Sequence, residues 1–587
     1  MSLSEEKKWS SVALLGALIV FIGLVWCTTY VKWTSSSWAS PTRYLIPDQT
    51  DELSTLAVLK SVSEGDFRPF RSKIVKRLGA PTEANWNDYP IIEEIQITFF
   101  GFLSKWFGLF AGLNLSLLLG HLLAGICFFV VARYLSVSLL GSFLGGLAYG
   151  LAPFLFAQSP HHITILYVWH LPLFIPVWTW VREEPGIKIG SKRFWCALGI
   201  GLLTGVHNVY FSYIFCQFVL VGAFILFWKN RKKENLYASL GIIGSVLLGF
   251  CLMNVDTWSY QWSMGRNTNV LERQYRWLEI YGLKLVDMVI PPIDHQLGIL
   301  AHWGRVYRAQ TILADEGSYL GIAGLVSLLL LLVSSFKKMM KKSSEALPVE
   351  LFQILWIFVF FTVGGINSIQ GTLGFTLFRT GCRYSIVVLL ISLMYAVQKM
   401  SVWEQRYKKR INSQALSSWY ACVAVIGSIL IFFDQAPRSN TEEEDSRIEF
   451  LVQSDQRFTE AMEAALPAGA MVFQLPVMSF PESPIVGIDS YNHLRPYLYS
   501  KRLRFSFGSN KGRESEKWQL ALAELPIKDQ IREILAKGFL GIYVNRLGFK
   551  DQAAEIKSIL KSMGFPEPIV SKSQDLMFFD LKNKKSD

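Results

Sequence analysis

The chain is 587 residues long, with 51% hydrophobic residues, 18% charged residues and a formal net charge of +12. Soluble domains carry about a quarter charged residues. That shortfall, a mean hydropathy of +0.30 and many long apolar runs exclude an ordinary soluble protein and predict a polytopic membrane protein. A basic excess in a soluble chain would suggest nucleic acid. Here the extra Lys and Arg lie between apolar runs, where they set topology, and no nucleic-acid partner is expected.

Residues 1–10 are polar and include Lys7 and Lys8, and an apolar run of spanning length follows over 11–29. Trp26, Tyr30 and Trp33 mark its far end as an interfacial aromatic belt would. Trp38-Ala39-Ser40 mimics a signal-peptide processing site, but the run is long for a signal core. Hydropathy places further spans at 113–132, 137–157, 163–181, 194–210, 211–228, 236–254, 317–336, 351–366, 384–398 and 418–433, about eleven with the first. Every second connection is basic. Examples are Arg182 to Arg193, Lys229 to Lys233, Lys337 to Lys342 and Lys399 to Arg410. This is the pattern of a cytoplasmic N-terminus.

The predicted architecture is a membrane domain over 1–433, with long outer loops at 34–112 and 255–316, and an extracytoplasmic α/β domain over 434–587. The first loop ends in an apolar, aromatic stretch that reads as a helix lying on or re-entering the membrane surface. The second, rich in Trp and Arg, suits an interfacial lid above a lipid. In the last region, a charged helix near 441–465 precedes alternating strands (471–475, 502–507, 540–545, 576–581) and helices (526–537, 550–563). The seven cysteines lie in or beside apolar spans and suggest packing, not disulfides.

Three constellations can carry chemistry. The first loop holds Asp48, Asp51, Glu52, Asp66, Asp88, Glu93 and Glu94. A positioned carboxylate can take the proton from an attacking hydroxyl; Asp51 is the first choice and Asp88 the second. Ser159-Pro160-His161-His162 forms an outer turn whose histidines could bind phosphate, join a loop carboxylate on a metal, or cap a helix. Adjacent ligands are unusual for zinc. Arg379 and Arg383 enter a span from the outer face four residues apart. On a helix they would share a face and clamp a phosphate with forked hydrogen bonds. His295 and Glu316 in the second outer segment are further phosphate- or substrate-binding candidates, with Lys284 and Asp294 behind them.

The stretches RLGAPTEANWNDYP, SPHH, YGLKLVDMVIPPIDH, DEGSYLGIAGL, FRTGCRYS and HLRPYLYSKRLRFSFGSNKGR run in order along nearly the whole chain. In this it resembles the GT-C glycosyltransferases of bacterial membranes, and most closely a YfhO-like subgroup sometimes described as sugar translocases. The resemblance implies an inner-membrane enzyme that moves a sugar from a polyprenyl-phosphate donor to an extracytoplasmic glycan or lipid. Transfer would invert the anomeric carbon, with Asp51 or Asp88 as base. Some members use a divalent metal such as Mg or Mn; the first loop has no Asp-x-Asp, which leaves the metal unassigned. A lipid-linked sugar translocase and a transferase of an alcohol phosphate are the competing readings. The absence of matched Gly- or Pro-broken spans in two halves tells against a transporter.

Overall fold

The structure, a computed structural model, describes residues 3–32, 38–42, 51–88, 93–271, 273–312, 314, 317–341, 346–408 and 413–583. Helix α1 (Leu3–Tyr30) leads into the first outer loop. That loop folds into α2 (Asp51–Ser63), a three-stranded antiparallel sheet of β1 (Phe67–Arg68), β2 (Ser72–Val75) and β3 (Ala84–Asn85), and α3 (Glu94–Phe107). The chain then winds through α4 (Leu109–Tyr134), α5 (Leu139–Gly150), α6 (Pro153–Gln158), α7 (Ile163–Leu166), α8 (Phe174–Arg182), α9 (Lys192–Gly205), α10 (Val209–Asn230) and α11 (Glu234–Met264). The second outer segment carries α12 (Arg276–Ile280) and α13 (Gly298–Gln310). Helices α14 (Gly321–Met340), α15 (Val349–Phe361), α16 (Ile366–Thr372), α17 (Ser385–Lys408) and α18 (Ser413–Gln435) complete the bundle.

All eleven expected apolar runs are largely helical, but among the described residues eight are long and apolar enough to cross a membrane. Three fall short of the roughly 20 residues a span needs. The run at 163–181 is broken, because α7 stops at Leu166 and the helix resumes only at a turn carrying Pro172. A proline donates no backbone hydrogen bond and clashes with the preceding turn. Helices α9 and α15 have 14 and 13 residues. In the other direction, α11 runs ten residues past its expected end, to Met264. Helix α3 exposes Ile95, Phe99, Phe102 and Trp106 at helical spacing along one face, the geometry of the interfacial helix expected there. The cysteines are free.

Beyond the bundle, α19 (Glu442–Ala465) starts with a capping box between Thr441 and Glu444. The outer sheet contains β4 (Met471–Leu475), β5 (Arg504–Phe505), β6 (Gly541–Asn545), β7 (Ile569–Val570) and β8 (Leu576–Asp580) in the order β5-β4-β6-β8-β7. The pairs of β4 with β5 and β6 are parallel, and β8 is antiparallel to both its neighbours. Helices α20 (Arg495–Tyr499), α21 (Glu514–Ala523), α22 (Ile527–Ala536) and α23 (Ala554–Ser562) connect these strands; α20 and α21 were not expected from sequence. Because side chains alternate across a strand, Phe473 and Ile542 face a separate core with Ile531 and Leu560. Val472 and Tyr543 face the other way, into a core continuous with α2 and the membrane helices.

The outer domain and the first loop are stitched together. Gly79 and Ala80 donate backbone hydrogen bonds to Phe507 and Phe505, and Phe505 donates to Arg77, each at 2.9 Å. The Trp86 indole donates to the Gly508 carbonyl at 3.1 Å and stacks on Phe480. The sheet therefore forms a roof on the catalytic-loop candidate and holds α2 over the bundle.

Candidate functional site

Asp51 opens α2, where a carboxylate is stabilised by the helix N-terminus. The Thr55 hydroxyl of the next turn donates to the His161 carbonyl at 3.2 Å, which seats the His161-His162 turn against α2. His162 Nε2 then lies 3.4 Å from Asp51 Oδ2, and the two imidazole rings are 4.8 Å apart. Burial would raise the Asp51 pKa. The hydrogen bond and charge of His162, with the nearby His161 and Arg383, outweigh it and hold the carboxyl below its usual value. The side chain is still about half exposed (48%), so it is both ionised and reachable. His162 occupies the N-cap position of α7 without making a cap hydrogen bond, which removes the capping reading. Its Nδ1 is buried with no hydrogen-bond partner among the described residues.

Glu93 joins this cluster from the start of α3. It is buried, and the Asn208 amide donates to its Oε1 at 2.7 Å. Asn208 is fixed in turn by accepting from the Tyr210 backbone as the cap of α10. Burial raises the Glu93 pKa, against the opposing pull of Asn208, Arg383 and His162. Glu93 was only one of several loop acids in the sequence. Its pairing with Asn208 across 115 positions left no local signal.

Arg383 lies in a 3-10 turn over Gly381–Tyr384, buried, with its guanidinium 4.9 Å from the Tyr210 ring centre. Arg379 precedes that turn in a loop, so the helix on which the two arginines would share a face does not form. They diverge onto different rings, Arg379 stacking 4.7 Å from Trp277. Burial lowers the Arg379 pKa, and Arg273 and Arg383 add to that. The site thus gathers one ionised carboxylate, one carboxyl whose pKa burial raises, two histidines and a row of guanidiniums at one end of the bundle.

The remaining candidates stand apart. Both oxygens of Asp88 are taken by Arg513, at 2.7 and 2.8 Å, and Asn267 donates to it as well. It clamps the first loop to the C-terminal domain, a structural role that stands beside its reading as the second-choice base. His295 Nδ1 accepts from the Leu297 backbone at 3.0 Å, and its Nε2 faces Asp434 at 3.4 Å. Asp434 also receives Tyr319 and the α14 backbone. Both nitrogens of His295 are engaged in this knot. Glu316 lies outside the described residues. Lys284 pairs with Asp287 at 3.0 Å. Among the described residues no three His, Cys, Asp or Glu side chains converge as a metal-ligand set.

Beside the site, β2 buries Lys73 completely. Its ammonium reaches Glu94 at 2.6 Å, Asp256 at 3.3 Å and the Thr257 hydroxyl at 3.0 Å, while the Phe70 backbone donates to Glu94. Burial, with Asp256 adding to it, pushes Glu94 from 4.5 up to about 7 despite Lys73. A carboxyl raised on folding binds its proton more tightly in the native state. Its contribution to stability is therefore full below pH 4.5 and is lost as pH rises toward about 7. Thermal melts across this window should show stability falling with pH, and Glu94→Gln should flatten that slope. A slope unchanged in the variant would assign it to other groups.

No protein-family model matches the chain, and no curated protein matches it by sequence. Solved structures do match. ArnT from Cupriavidus metallidurans bound to undecaprenyl phosphate aligns over 97% of this chain and 97% of its own, at 11% identity and a TM-score of 0.50. The archaeal oligosaccharyltransferase AglB from Archaeoglobus fulgidus, in complex with an inhibitory peptide and a dolichol-phosphate, aligns over 92% of this chain and 70% of its own, at 8% identity and a TM-score of 0.42. The full-length ArnT alignment carries the fold: a GT-C-like polytopic membrane protein with a small C-terminal sheet region.

Proposed function

We propose that the chain is an integral membrane glycosyltransferase that moves a sugar from a polyprenyl-phosphate donor to an extracytoplasmic glycan or lipid, with Asp51 as general base. The observation that carries this reading is the ionised, accessible Asp51 carboxylate beside His162 and within electrostatic reach of Arg383. The likeness in fold to an ArnT structure holding undecaprenyl phosphate supports the donor class. In this reading the acceptor hydroxyl approaches Asp51 and gives it its proton. The hydroxyl oxygen attacks the anomeric carbon on the face opposite the phosphate. The bond from that carbon to the phosphate oxygen breaks, its electron pair leaves with the carrier phosphate, and one displacement inverts the centre. Arg383, His161 and His162 stabilise the charge gathering on the leaving phosphate. The buried carboxyl of Glu93, whose pKa burial raises, helps orient the sugar.

The protein would sit in a bacterial cytoplasmic membrane with its N-terminus inside and the outer domain on the acceptor side. Mass spectrometry of membrane lipids and surface glycans, with and without the gene, tests this. A glycan short by one sugar, with its polyprenyl-phosphate sugar accumulating, is the expected result. Intact glycans with a lipid-linked intermediate trapped on the cytoplasmic face would replace the transferase with a translocase. Arg383→Ala should raise the apparent KM for the donor by about tenfold to a hundredfold, the size of a lost charge-assisted hydrogen bond. An unchanged KM and rate would reduce Arg383 to a structural residue.

A further inference from the structure

Three helices meet at the end of the bundle away from Asp51, and two of them are short. Helix α8 has 9 residues and α15 has 13, so each is shorter than the roughly 30 Å of a bilayer's hydrocarbon core. Helix α17, with 24 residues, runs on past both. It begins just after the turn that carries Arg383, and Gln398 lies about 20 Å further along its axis. There the end of α8, the first turn of α15 and the middle of α17 line a cavity of about 180 Å³, room for about six waters. Its lining is polar where the short helices stop. Arg182 and Glu183 come from α8, Glu350 and Gln353 from α15, and Gln398 from α17. Arg182 Nη2 donates to Glu183 at 2.9 Å. The rest of its donor edge has no acceptor among the described residues and is accessible. The same holds for the Glu350 carboxylate and the amides of Gln353 and Gln398. Lys399 adds a second cation, 5.3 Å from the ring centre of Tyr395, which also lines the cavity. Two cations and two carboxylates therefore share one small space. A bare anion would meet Glu350 unpaired, and a bare cation would meet Arg182 and Lys399. A group that carries both charges answers both.

We propose that this cavity binds a phosphate ester bearing a primary ammonium, the chemistry of a phosphoethanolamine head group. The open edge of Arg182 takes the phosphate in a fork. The ammonium reaches Glu350, and the Gln353 and Gln398 carbonyl oxygens accept from its remaining N–H groups. The site is separate from the transfer chemistry at Asp51 and needs neither the donor nor the base. Its consequence is mechanical: a bound head group ties the short helices α8 and α15 to α17, the helix whose start holds the Arg383 turn.

Thermal melts of the full chain in detergent, titrated with dilauroyl phosphatidylethanolamine, dilauroyl phosphatidylglycerol or free phosphoethanolamine, measure this. The phosphatidylethanolamine should bind about tenfold tighter than the phosphatidylglycerol, the worth of one charge-assisted contact. Glu350→Gln should remove that preference while the phosphatidylglycerol still binds, which shows that the variant is folded. Arg182→Gln should weaken both lipids. Free phosphoethanolamine binding as tightly as the lipid would support the site and assign its ligand to the soluble phase; a response to the lipid alone would support it and assign the ligand to the bilayer. Equal affinities for the two lipids in the unmodified protein would overturn the proposal. So would a preference that survives Glu350→Gln, or the absence of a shift with all three compounds.

Discussion

Asp51→Asn should lower the transfer rate by about a hundredfold to ten-thousandfold, the range for removing a general base, with the protein folded and inserted as before. The substitution keeps the shape of the side chain and a polar contact to His162, so the turn at His161-His162 stays seated through Thr55. What it removes is the negative charge that accepts the proton. Stability should barely change, because the side chain is about half exposed and a carboxylate at a helix N-terminus is worth only about 0.3–1 kcal/mol. The pH profile gives a second handle. His162, His161 and Arg383 depress the Asp51 pKa against its partial burial. The base therefore stays ionised down through the ordinary carboxylate range, and its acid limb should lie below 3.8. Single-turnover kinetics on the purified protein would read both effects. Normal turnover by Asp51→Asn would remove Asp51 as the base. Asp88→Asn is the instructive contrast. It breaks the fork to Arg513 and should loosen the outer domain's grip on the first loop, not silence chemistry.

The second large effect is structural. Arg495→Ala should destabilise the outer domain by about 3–5 kcal/mol, the cost of stranding a buried charge. Arg495 is almost fully buried. It donates from Nε and one terminal nitrogen to Asp455 at 2.8 and 2.5 Å, and from the other to Asp575 at 2.6 Å. Burial alone would favour losing its charge; Asp455 and Asp575 reverse that and hold its pKa above normal. The three residues pin α19, α20 and the turn before β8 to one another. The adjoining residues on α20 touch α2: the Leu498 carbonyl accepts from Lys60 and the Tyr497 hydroxyl donates to Glu64. Loss of Arg495 should therefore reach the site through α2. A melting temperature roughly ten degrees lower, partly recovered in Arg495→Met combined with Asp455→Leu, would identify the buried charges as the cause. A melt within a degree or two of the unmodified protein would show that they are not needed.

Much of this protein was legible in the order of its residues. The apolar runs and their alternating basic connections determined a multi-span membrane protein, because the bilayer demands a minimum apolar length. The period-two and helical patterns past residue 440 located α19, β4, β6, α22, α23 and β8 to within a few residues, because in those segments local pattern and packing agree. Asp51, His161, His162 and Arg383 were also visible as unusual polar groups beside apolar spans. What the sequence could not decide was which of them meet. Asp51 and His162 are joined only when α2 docks on the turn before α7, and Glu93 becomes a site residue only because Asn208 closes on it. The same long-range packing gave Asp88 and His295 the partners Arg513 and Asp434, which no local pattern announces. It also sent Arg379 and Arg383 to different rings, since the helix on which they would have shared a face does not form there. Local pattern sets the elements because backbone geometry repeats every two or 3.6 residues; pairing between side chains hundreds of positions apart has no period, and only the tertiary fold decides it.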